Sequence, residues 1–278
     1  MPPIRPLRLG LLGLDTSHVE GFAELFNNPA HPDYIRGGRI VAGFPGASPD
    51  FGLSAGRVDG FTRKLRERYG LAIVGSPREL AESVDAILLT AVDGRAHRAQ
   101  FTEIAPLRRP VFMDKPFATT HADARAIAEL SRMHGTPLFT SSSLRFAGSL
   151  QAALAERDGG RVVGAEFSGP LKLEPTQPGF FWYGIHPAEM LYAALGPGCG
   201  AVRVSATAGH EAAIGTWRDG RIGVLRGHRA GYPSFAGVVH REERSQWVDA
   251  AAGRRADAGL AAAIMAFFRG GPPPVPLE

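Results

Sequence analysis

A short apolar segment of this chain ends at a lysine that could take part in chemistry. The run Val111–Met113 stops at Asp114, Lys115 and Pro116, and a run of that length bounded by prolines is typical of a buried strand. Ligands bind at the carboxyl ends of strands in parallel sheets. Only three of the 31 basic residues are lysines. Keeping an amine at this position indicates a need for a compact donor that can lose its proton. The alternative is a surface lysine that follows a strand.

A polar turn follows the first predicted strand, Leu7–Leu12. Strand, tight turn and helix start form the opening of a Rossmann fold, where the first-turn amides and the helix dipole bind an anion. Measured against G-x-G-x-x-G, Gly13 keeps the first glycine, whereas Asp15 and His18 replace the second and third. A carboxylate at the second position would crowd and repel a pyrophosphate.

The polar side chains of this turn have a structural alternative, which we favour. Asp15, Thr16 and Ser17 are residue types that cap helices, and Ser17 has capping-box spacing to Glu20. The end of the second strand also departs from a nucleotide-binding pattern. A ribose-binding acid is expected there, but the sequence reads Phe-Pro-Gly over residues 44–46.

A repeated strand and helix pattern positions these residues. Six β/α units in sequence predict a doubly wound parallel sheet over the first half of the chain. Ser76 and Thr120 carry clear helix-start signals, and Gly135 ends the helix that begins at Thr120. Residues 45–60 are rich in Gly, Ser and Pro and are expected to form an irregular loop.

The pattern changes near residue 143. A helix over residues 181–195 carries His186 and Glu189, which are three apart and so share a face. Several alternating segments follow, and Asp219-Gly220 indicates a hairpin. We predict a Rossmann-type domain over residues 1–143 and a smaller α+β domain over residues 144–278. The second domain is expected to have an open-faced, mostly antiparallel sheet with helices on one face.

Composition excludes several classes of protein. The single cysteine excludes an intrachain disulfide and a cysteine-cluster metal site. No window approaches 18 apolar residues, so no membrane span is expected. The apolar run near the start is too short for a signal peptide, and we expect a cytoplasmic protein. The net charge is +4, but the arginines are scattered, so nucleic-acid binding is not expected.

Three segments resemble the Gfo/Idh/MocA family of oxidoreductases, which includes glucose–fructose oxidoreductases and inositol dehydrogenases. PVFMDKPFATTHADARAIAEL resembles the family's E-K-P motif and following helix, and VDAILLTAVDGRAHRAQ resembles the strand and helix before it. FWYGIHPAEMLYAALG resembles a second motif, in which a histidine opens a helix of the substrate domain. The likeness runs over most of residues 7–200. It implies a Rossmann domain followed by an open-faced α/β domain, and NAD(P)-dependent chemistry on sugars, polyols and related carbonyls.

Carried over by position, the resemblance assigns two catalytic residues. Lys115 matches the lysine that hydrogen-bonds the reacting oxygen near the nicotinamide, and His186 matches the acid/base histidine. Arg145 resembles a substrate-side arginine, and the resemblance implies a cis bond between Lys115 and Pro116. Such a pair suits hydride transfer. A base whose pKa is near 7 can take the hydroxyl proton, and an ammonium can stabilise the charge on the oxygen. The remaining candidates are Gly13, Asp15, Thr16, Ser17, His18, Ala91, His97 and Asp114 for cofactor contacts, and Trp182, Tyr183 and Glu189 for substrate contacts.

These assignments leave alternatives open. Trp182 stands where the family usually has an aspartate, four residues before the histidine. With the altered glycine turn, this supports a second interpretation, a non-redox member that binds a sugar-like ligand. A third interpretation is a metal-assisted lyase or hydrolase using His18, Asp15, His186 and Glu189. For His97, a structural role as a partly buried histidine beside the sheet is as well supported as a cofactor contact. We expect NAD or NADP as cofactor, a small-molecule substrate, no bound metal, and a homodimer or homotetramer.

Overall fold

The structure is a computed structural model that describes residues 5–231, 234–253 and 255–277. Within them the chain forms two compact units. The first contains the described part of residues 1–141 together with that of residues 261–278, and the second contains the described part of residues 142–260. A search of the described residues for a helix with the length and hydropathy of a membrane span finds none.

The first unit is built on a six-stranded parallel sheet. Its strands are β1 (Leu7–Leu12), β2 (Gly38–Phe44), β3 (Ala72–Ile73), β4 (Ala86–Leu89), β5 (Val111–Met113) and β6 (Leu138–Thr140). Their order is β3-β2-β1-β4-β5-β6, and every pairing is parallel. The chain order reverses between β1 and β4, which is the ligand-binding switch point of a doubly wound sheet. The expected Rossmann architecture is therefore confirmed.

Helices connect these strands. They are α1 (His18–Asn27), α2 (Gly52–Ala55), α3 (Val58–Tyr69), α4 (Pro77–Ser83), α5 (His97–Ile104) and α6 (His121–His134), with a 3₁₀ turn at Ala105–Leu107. The predicted caps are present: Ser76 Oγ accepts from the Glu79 amide at 3.1 Å, and Thr120 Oγ1 accepts from the Asp123 amide at 3.0 Å. The prediction of an irregular loop over residues 45–60 was wrong in part, because α2 and the start of α3 lie there.

The core of the first unit explains why its central strands read as continuous apolar runs. All residues of β4 and β5 are buried, as expected for parallel strands covered on both faces. Phe112 lies edge-on to Phe22, with ring centroids 6.0 Å apart, and its centroid is 5.1 Å from that of Phe139. This packing holds the carboxyl end of β5, and with it Lys115, in a fixed place.

The closing helix α9 (Ala256–Phe268) begins in the second unit and continues into the first. Phe267 packs edge-on against Phe139 with ring centroids 4.9 Å apart, and the guanidinium of Arg269 donates to the Gly37 carbonyl. The sequence-based division assigned all of residues 144–278 to one domain, whereas the chain from Ala261 onward groups with the first unit. Apolar contacts made by α9 decide this placement.

The second unit contains a six-stranded mixed sheet. Its elements are α7 (Gly148–Ala155), β7 (Val162–Pro170), α8 (Ile185–Leu195), β8 (Cys199–Ala206), β9 (His210–Trp217), β10 (Ile222–His228), β11 (Ala236–Arg241) and β12 (Ser245–Asp249), with 3₁₀ turns at Ser143–Phe146 and Gly179–Phe181. The order is β12-β11-β7-β10-β9-β8. Every pairing is antiparallel except that of β7 with β10. The expectation of a mostly antiparallel sheet is confirmed, and the predicted hairpin joins β9 to β10.

Candidate functional site

The turn after β1 has the close approach that the first glycine of a nucleotide-binding fingerprint provides. Gly13 has φ +94°, and a Cβ added there would overlap the backbone of Ala91 at the end of β4. The Gly13 amide donates to the Phe44 carbonyl at 2.9 Å. Only glycine permits both this backbone conformation and this approach. The ends of β1, β2 and β4 are thereby held together at the switch point.

Asp15 turns inward from the same loop. Its carboxylate accepts from Ser54 Oγ at 2.5 Å and from the Val92 amide at 2.9 Å, and the residue is fully buried. Burial raises the pKa of this carboxyl above its ordinary value of 3.8, although both hydrogen bonds oppose the shift. The prediction that Asp15 caps a helix was wrong, because its carboxylate instead joins the turn after β1 to α2 and to the loop after β4.

The start of α1 supplies backbone donors. Ser17 has helical dihedral angles and makes no side-chain cap, so the predicted capping box is absent. Thr16 Oγ1 accepts from the His18 amide at 3.4 Å. Among the described residues, no hydrogen bond engages the amides of Thr16 and Ser17. Such amides, at the positive end of a ten-residue helix, suit an anion.

His18 pairs with the aspartate that precedes the lysine. Its Nδ1 contacts Asp114 Oδ2, and the Asp114 amide donates to the Leu89 carbonyl at 2.8 Å. Burial raises the pKa of the Asp114 carboxyl, but His18 and Lys115 together outweigh burial and hold that pKa below its ordinary value. A charged carboxylate therefore links the imidazole of α1 to the lysine that follows β5.

Lys115 lies at the carboxyl end of β5, as the sequence predicts. Its amide donates to Asp114 Oδ1 at 2.8 Å, and the bond to Pro116 is cis, which confirms that expectation. Burial lowers the pKa of the Lys115 amine, while the Asp114 charge opposes the shift. An amine so placed can donate a hydrogen bond as an ammonium, or release its proton more readily than a solvated lysine.

His97 and Ala91 lie beneath the site rather than on its surface. The His97 ring is fully buried, with Nε2 2.8 Å from the Ala91 carbonyl oxygen and Nδ1 3.2 Å from the Phe117 carbonyl oxygen. Burial lowers the pKa of this imidazole. His97 is therefore a buried histidine beside the sheet, and its ring joins the loops that follow β4 and β5.

The loop after β2 is tied across to the start of α5. Arg95 donates to both carboxylate oxygens of Asp50, at 2.9 and 3.0 Å, and also to Asp93. These ion pairs engage the acid closest in sequence to the position expected for a ribose contact. The amides of Thr16 and Ser17 therefore fit the phosphates of a nucleotide, whereas Asp50, the acid nearest to the expected ribose position, is paired with Arg95.

The second unit holds the candidate histidine. The residue lies in the first turn of α8, and its Nδ1 is 2.7 Å from Ser142 Oγ. His186 is also flanked by two aromatic rings, Tyr183 at 6.0 Å and Phe235 at 5.1 Å between centroids. A hydroxyl at one nitrogen and two rings at its sides fix the orientation of this imidazole.

Arg145 and Glu189 bind each other. Arg145 Nε donates to Glu189 Oε2 at 2.7 Å, and both side chains are less than one-fifth exposed. Trp182 is buried, with its ring centroid 5.9 Å from that of Tyr183. The arginine expected to face substrate is thus neutralised by the glutamate that shares a helix face with His186.

The metal-assisted interpretation gains no support from the part of the chain that the structure describes. That part contains no group of three or more His, Cys, Asp or Glu side chains arranged to hold a metal ion. Asp15 faces Ser54 and Val92, while His18 faces Asp114.

Several residues of these sites were not found from the sequence. They are Ser54, Val92, Arg95, Ser142 and Phe235. The partners of Asp15 lie 39 and 77 positions away, and Ser142 lies 44 positions from His186. No local spacing signals such contacts, because they depend on which loops the sheets bring together.

Comparisons with known proteins establish the fold. No family model matches the chain, and no curated protein matches it. It is similar to the solved structure of scyllo-inositol dehydrogenase from Lactobacillus casei, with TM-score 0.79 and 13% identity over 99% of this chain and 92% of that one. It is similar to UDP-N-acetylglucosamine 3-dehydrogenase from Acidithiobacillus ferrooxidans, with TM-score 0.75 and 15% identity over 96% and 91%. Biliverdin reductase from Synechocystis sp. PCC 6803, solved with biliverdin and NADP+, has TM-score 0.72 and 17% identity over 99% and 94%. The chain therefore has the fold that these oxidoreductases share.

Proposed function

We propose that this protein is an NAD(P)-dependent oxidoreductase of the Gfo/Idh/MocA type. It would transfer hydride to or from a carbon of a sugar, a polyol or a related hydroxy or carbonyl compound. The observation that carries the proposal is Lys115, an amine of lowered pKa that follows β5 at the ligand-binding edge of a Rossmann sheet. The neighbouring structures add support, since two of them are named as dehydrogenases of an inositol and of a nucleotide sugar.

The residues that would hold the cofactor lie in the turn after β1. Gly13 keeps the turn tight, and the amides of Thr16 and Ser17 would donate to the phosphates. Asp15 does not point at such an anion, because its carboxylate accepts from Val92 and Ser54. When bound, a nicotinamide ring would accept or supply the hydride.

Lys115 would stabilise charge on the reacting oxygen, and His186 would transfer the proton. The Lys115 ammonium would donate to the reacting oxygen and stabilise its charge as the carbonyl forms. The Asp114 charge opposes the effect of burial on the Lys115 pKa and so favours the protonated amine. His186 would take the hydroxyl proton, and the Ser142 hydroxyl would hold the imidazole in one orientation.

Nucleotide binding is the first test, and it is independent of substrate identity. We expect NADH or NADPH to bind the full-length protein with a saturable change in nucleotide fluorescence. The dissociation constant of the nucleotide should differ by no more than a few-fold between Lys115→Met and the wild type. Turnover with a panel of sugars and polyols should fall about 10²–10⁴-fold in the variant, the usual contribution of a positioned proton donor. Lys64→Met is the matched control, since Lys64 pairs with Glu20 at 3.1 Å on the surface. Binding of neither nucleotide would contradict the proposal.

A second candidate function has a specific observation in its favour. Asp15 occupies the position where a glycine usually admits a pyrophosphate, and Arg95 engages Asp50 after β2. Both features suit a non-redox member of the fold that binds a sugar-like ligand. This alternative predicts that a sugar raises the melting temperature while neither nucleotide does so.

A further inference from the structure

A small cavity lies where two parallel strands of the second unit end. Its volume is about 210 Å³, and Lys172, Tyr183, His228 and Arg229 contribute its polar lining. His228 ends β10 and is the register partner of Pro170, which ends β7. Lys172 follows two residues later. The parallel pairing of β7 with β10 therefore brings the lysine, the histidine and the arginine to one end of the sheet.

The charges around this cavity favour an anion. No carboxylate is within ion-pair distance of Lys172 in the described residues, and its Nζ lies 5.6 Å from the Tyr183 ring centroid. Lys64, by contrast, has a glutamate partner. None of the described residues that line the cavity is acidic. Lys172 thus adds a positive charge that the lining does not neutralise.

Arg229 and His228 complete the donor set. Arg229 contacts Glu211 through Nη2 and donates from Nη1 to the Thr207 carbonyl at 2.6 Å. Its Nε is buried and has no hydrogen-bond partner within the part of the chain that the structure describes. Burial, followed by the charges of Arg226 and His210, lowers the pKa of the His228 imidazole. The lowered pKa favours the neutral form of His228, whose Nδ1 lies 3.2 Å from His210 Nδ1.

The cavity adjoins the candidate histidine through a shared aromatic residue. Tyr183 lines the cavity, and its ring centroid is 6.0 Å from that of His186. A compound whose hydroxyl group lies at His186 could extend past Tyr183 and reach Lys172 with another group. Lys172 and Arg229 place cationic groups in that lining, so an anionic group there would gain a charge interaction that an uncharged group would not.

We propose that the substrate of this protein carries an anionic group, a carboxylate or a phosphate, and that Lys172 binds it with the help of Arg229 and His228. The proposal rests on the oxidoreductase function inferred above, for which it names the substrate class. A polyhydroxy acid or a sugar phosphate would satisfy both sites. Its charge would be neutralised by the one cavity-lining cation that has no carboxylate partner of its own among the described residues.

The three lysines of the chain permit a direct test that needs no turnover. Protein labelled with ¹³C at the lysine ε carbon gives three signals, which Lys64→Met and Lys172→Met assign. We expect D-glucuronate and D-glucose 6-phosphate to shift the Lys172 signal saturably. The compound that binds with the higher affinity identifies the preferred anionic group, carboxylate or phosphate. D-glucose should leave that signal in place, and the Lys64 signal should move with none of them. A Lys172 signal that moves no more than that of Lys64 would overturn the proposal.

Binding constants and turnover separate this proposal from the function on which it rests. Lys172→Met should weaken the preferred acid about tenfold, and Lys172→Arg should restore most of the affinity, since one charge-assisted contact is worth roughly that factor. A saturable Lys172 shift without nucleotide-dependent turnover would support the anion site and remove the redox function. Turnover of an uncharged sugar that neither acid inhibits would overturn the anion site and leave the redox function in place.

Discussion

Replacing the buried carboxylate of Asp15 tests how the altered turn is stabilised. The carboxylate accepts from Ser54 Oγ and from the Val92 amide, and it has no exposed surface. Asp15→Ala removes both acceptors and leaves the Val92 N–H buried without a partner. A buried donor left unsatisfied costs about 1–3 kcal/mol. Since the variant also avoids burying a charge, we expect a net loss near 2 kcal/mol at pH 7.

Asp15→Asn is the matched variant. Its amide oxygen can still accept from the Val92 amide, and its NH₂ group can donate to Ser54 Oγ, while its charge is gone. We therefore expect Asp15→Asn to lie within about 1 kcal/mol of the wild-type protein at pH 7. The contrast between the two variants isolates the hydrogen bonds from the charge.

The pH dependence of the wild-type protein follows from the raised pKa of Asp15. The folded protein holds this proton more tightly than the unfolded chain, for which the value is near 3.8. The stability that the neutral carboxyl contributes is fully present below 3.8. It is lost as the pH rises through the interval between 3.8 and the folded-state pKa. Asp15→Asn cannot ionise, so its stability relative to wild type should improve across that interval and then stay constant.

Urea unfolding followed by far-ultraviolet circular dichroism measures these differences. Trp182, Trp217 and Trp247 all belong to the second unit, so tryptophan fluorescence would follow the wrong part of the chain. Hydrogen exchange of peptides covering β1 and β4 adds a local readout. An Asp15→Ala variant as stable as the wild type would show that these two hydrogen bonds do not stabilise the turn. An Asp15→Asn variant as unstable as Asp15→Ala at pH 7 would show that the charge itself is the stabilising feature.

Three further substitutions test other parts of the argument. His186→Ala should lower turnover with little change in nucleotide affinity, and equal turnover would remove His186 from the mechanism. Ser142→Ala should lower turnover about tenfold, the value of one neutral hydrogen bond, and should leave nucleotide binding unchanged in the same titration. Gly13→Ala should destabilise the first unit by about 3 kcal/mol, because a Cβ combines positive-φ strain with overlap at Ala91. A melting temperature equal to that of the wild type would refute this reading of the turn.

Much of the first unit could be predicted because its signals are local. Apolar runs bounded by turn residues predict β4 and β5, and Ser76 and Thr120 begin helices where their spacing indicates. Asp219-Gly220 makes the turn of its hairpin for the same reason. In each case the residues that decide the structure are neighbours in the chain, so their pattern is sufficient.

The failures share the opposite property. Ser17 resembles a capping residue, yet its backbone is already helical and its side chain caps nothing. The pairing of Arg145 with Glu189, 44 positions away, gives no signal in the local sequence either. Whether a polar side chain is free, capping or paired depends on partners that come from other loops, and local spacing carries no information about them.

The sequence by itself determined that a parallel α/β sheet comes first, that a mostly antiparallel sheet follows, and that a lysine comes shortly after the fifth strand. Only the tertiary structure decided that Asp15 turns inward, that α9 carries the chain from the second unit into the first, and that Lys172, His228 and Arg229 border one cavity. The physical reason is range. Strand and helix formation depend on periodicity over a few residues, whereas burial, ion pairing and cavity shape depend on contacts between segments that are far apart in the chain.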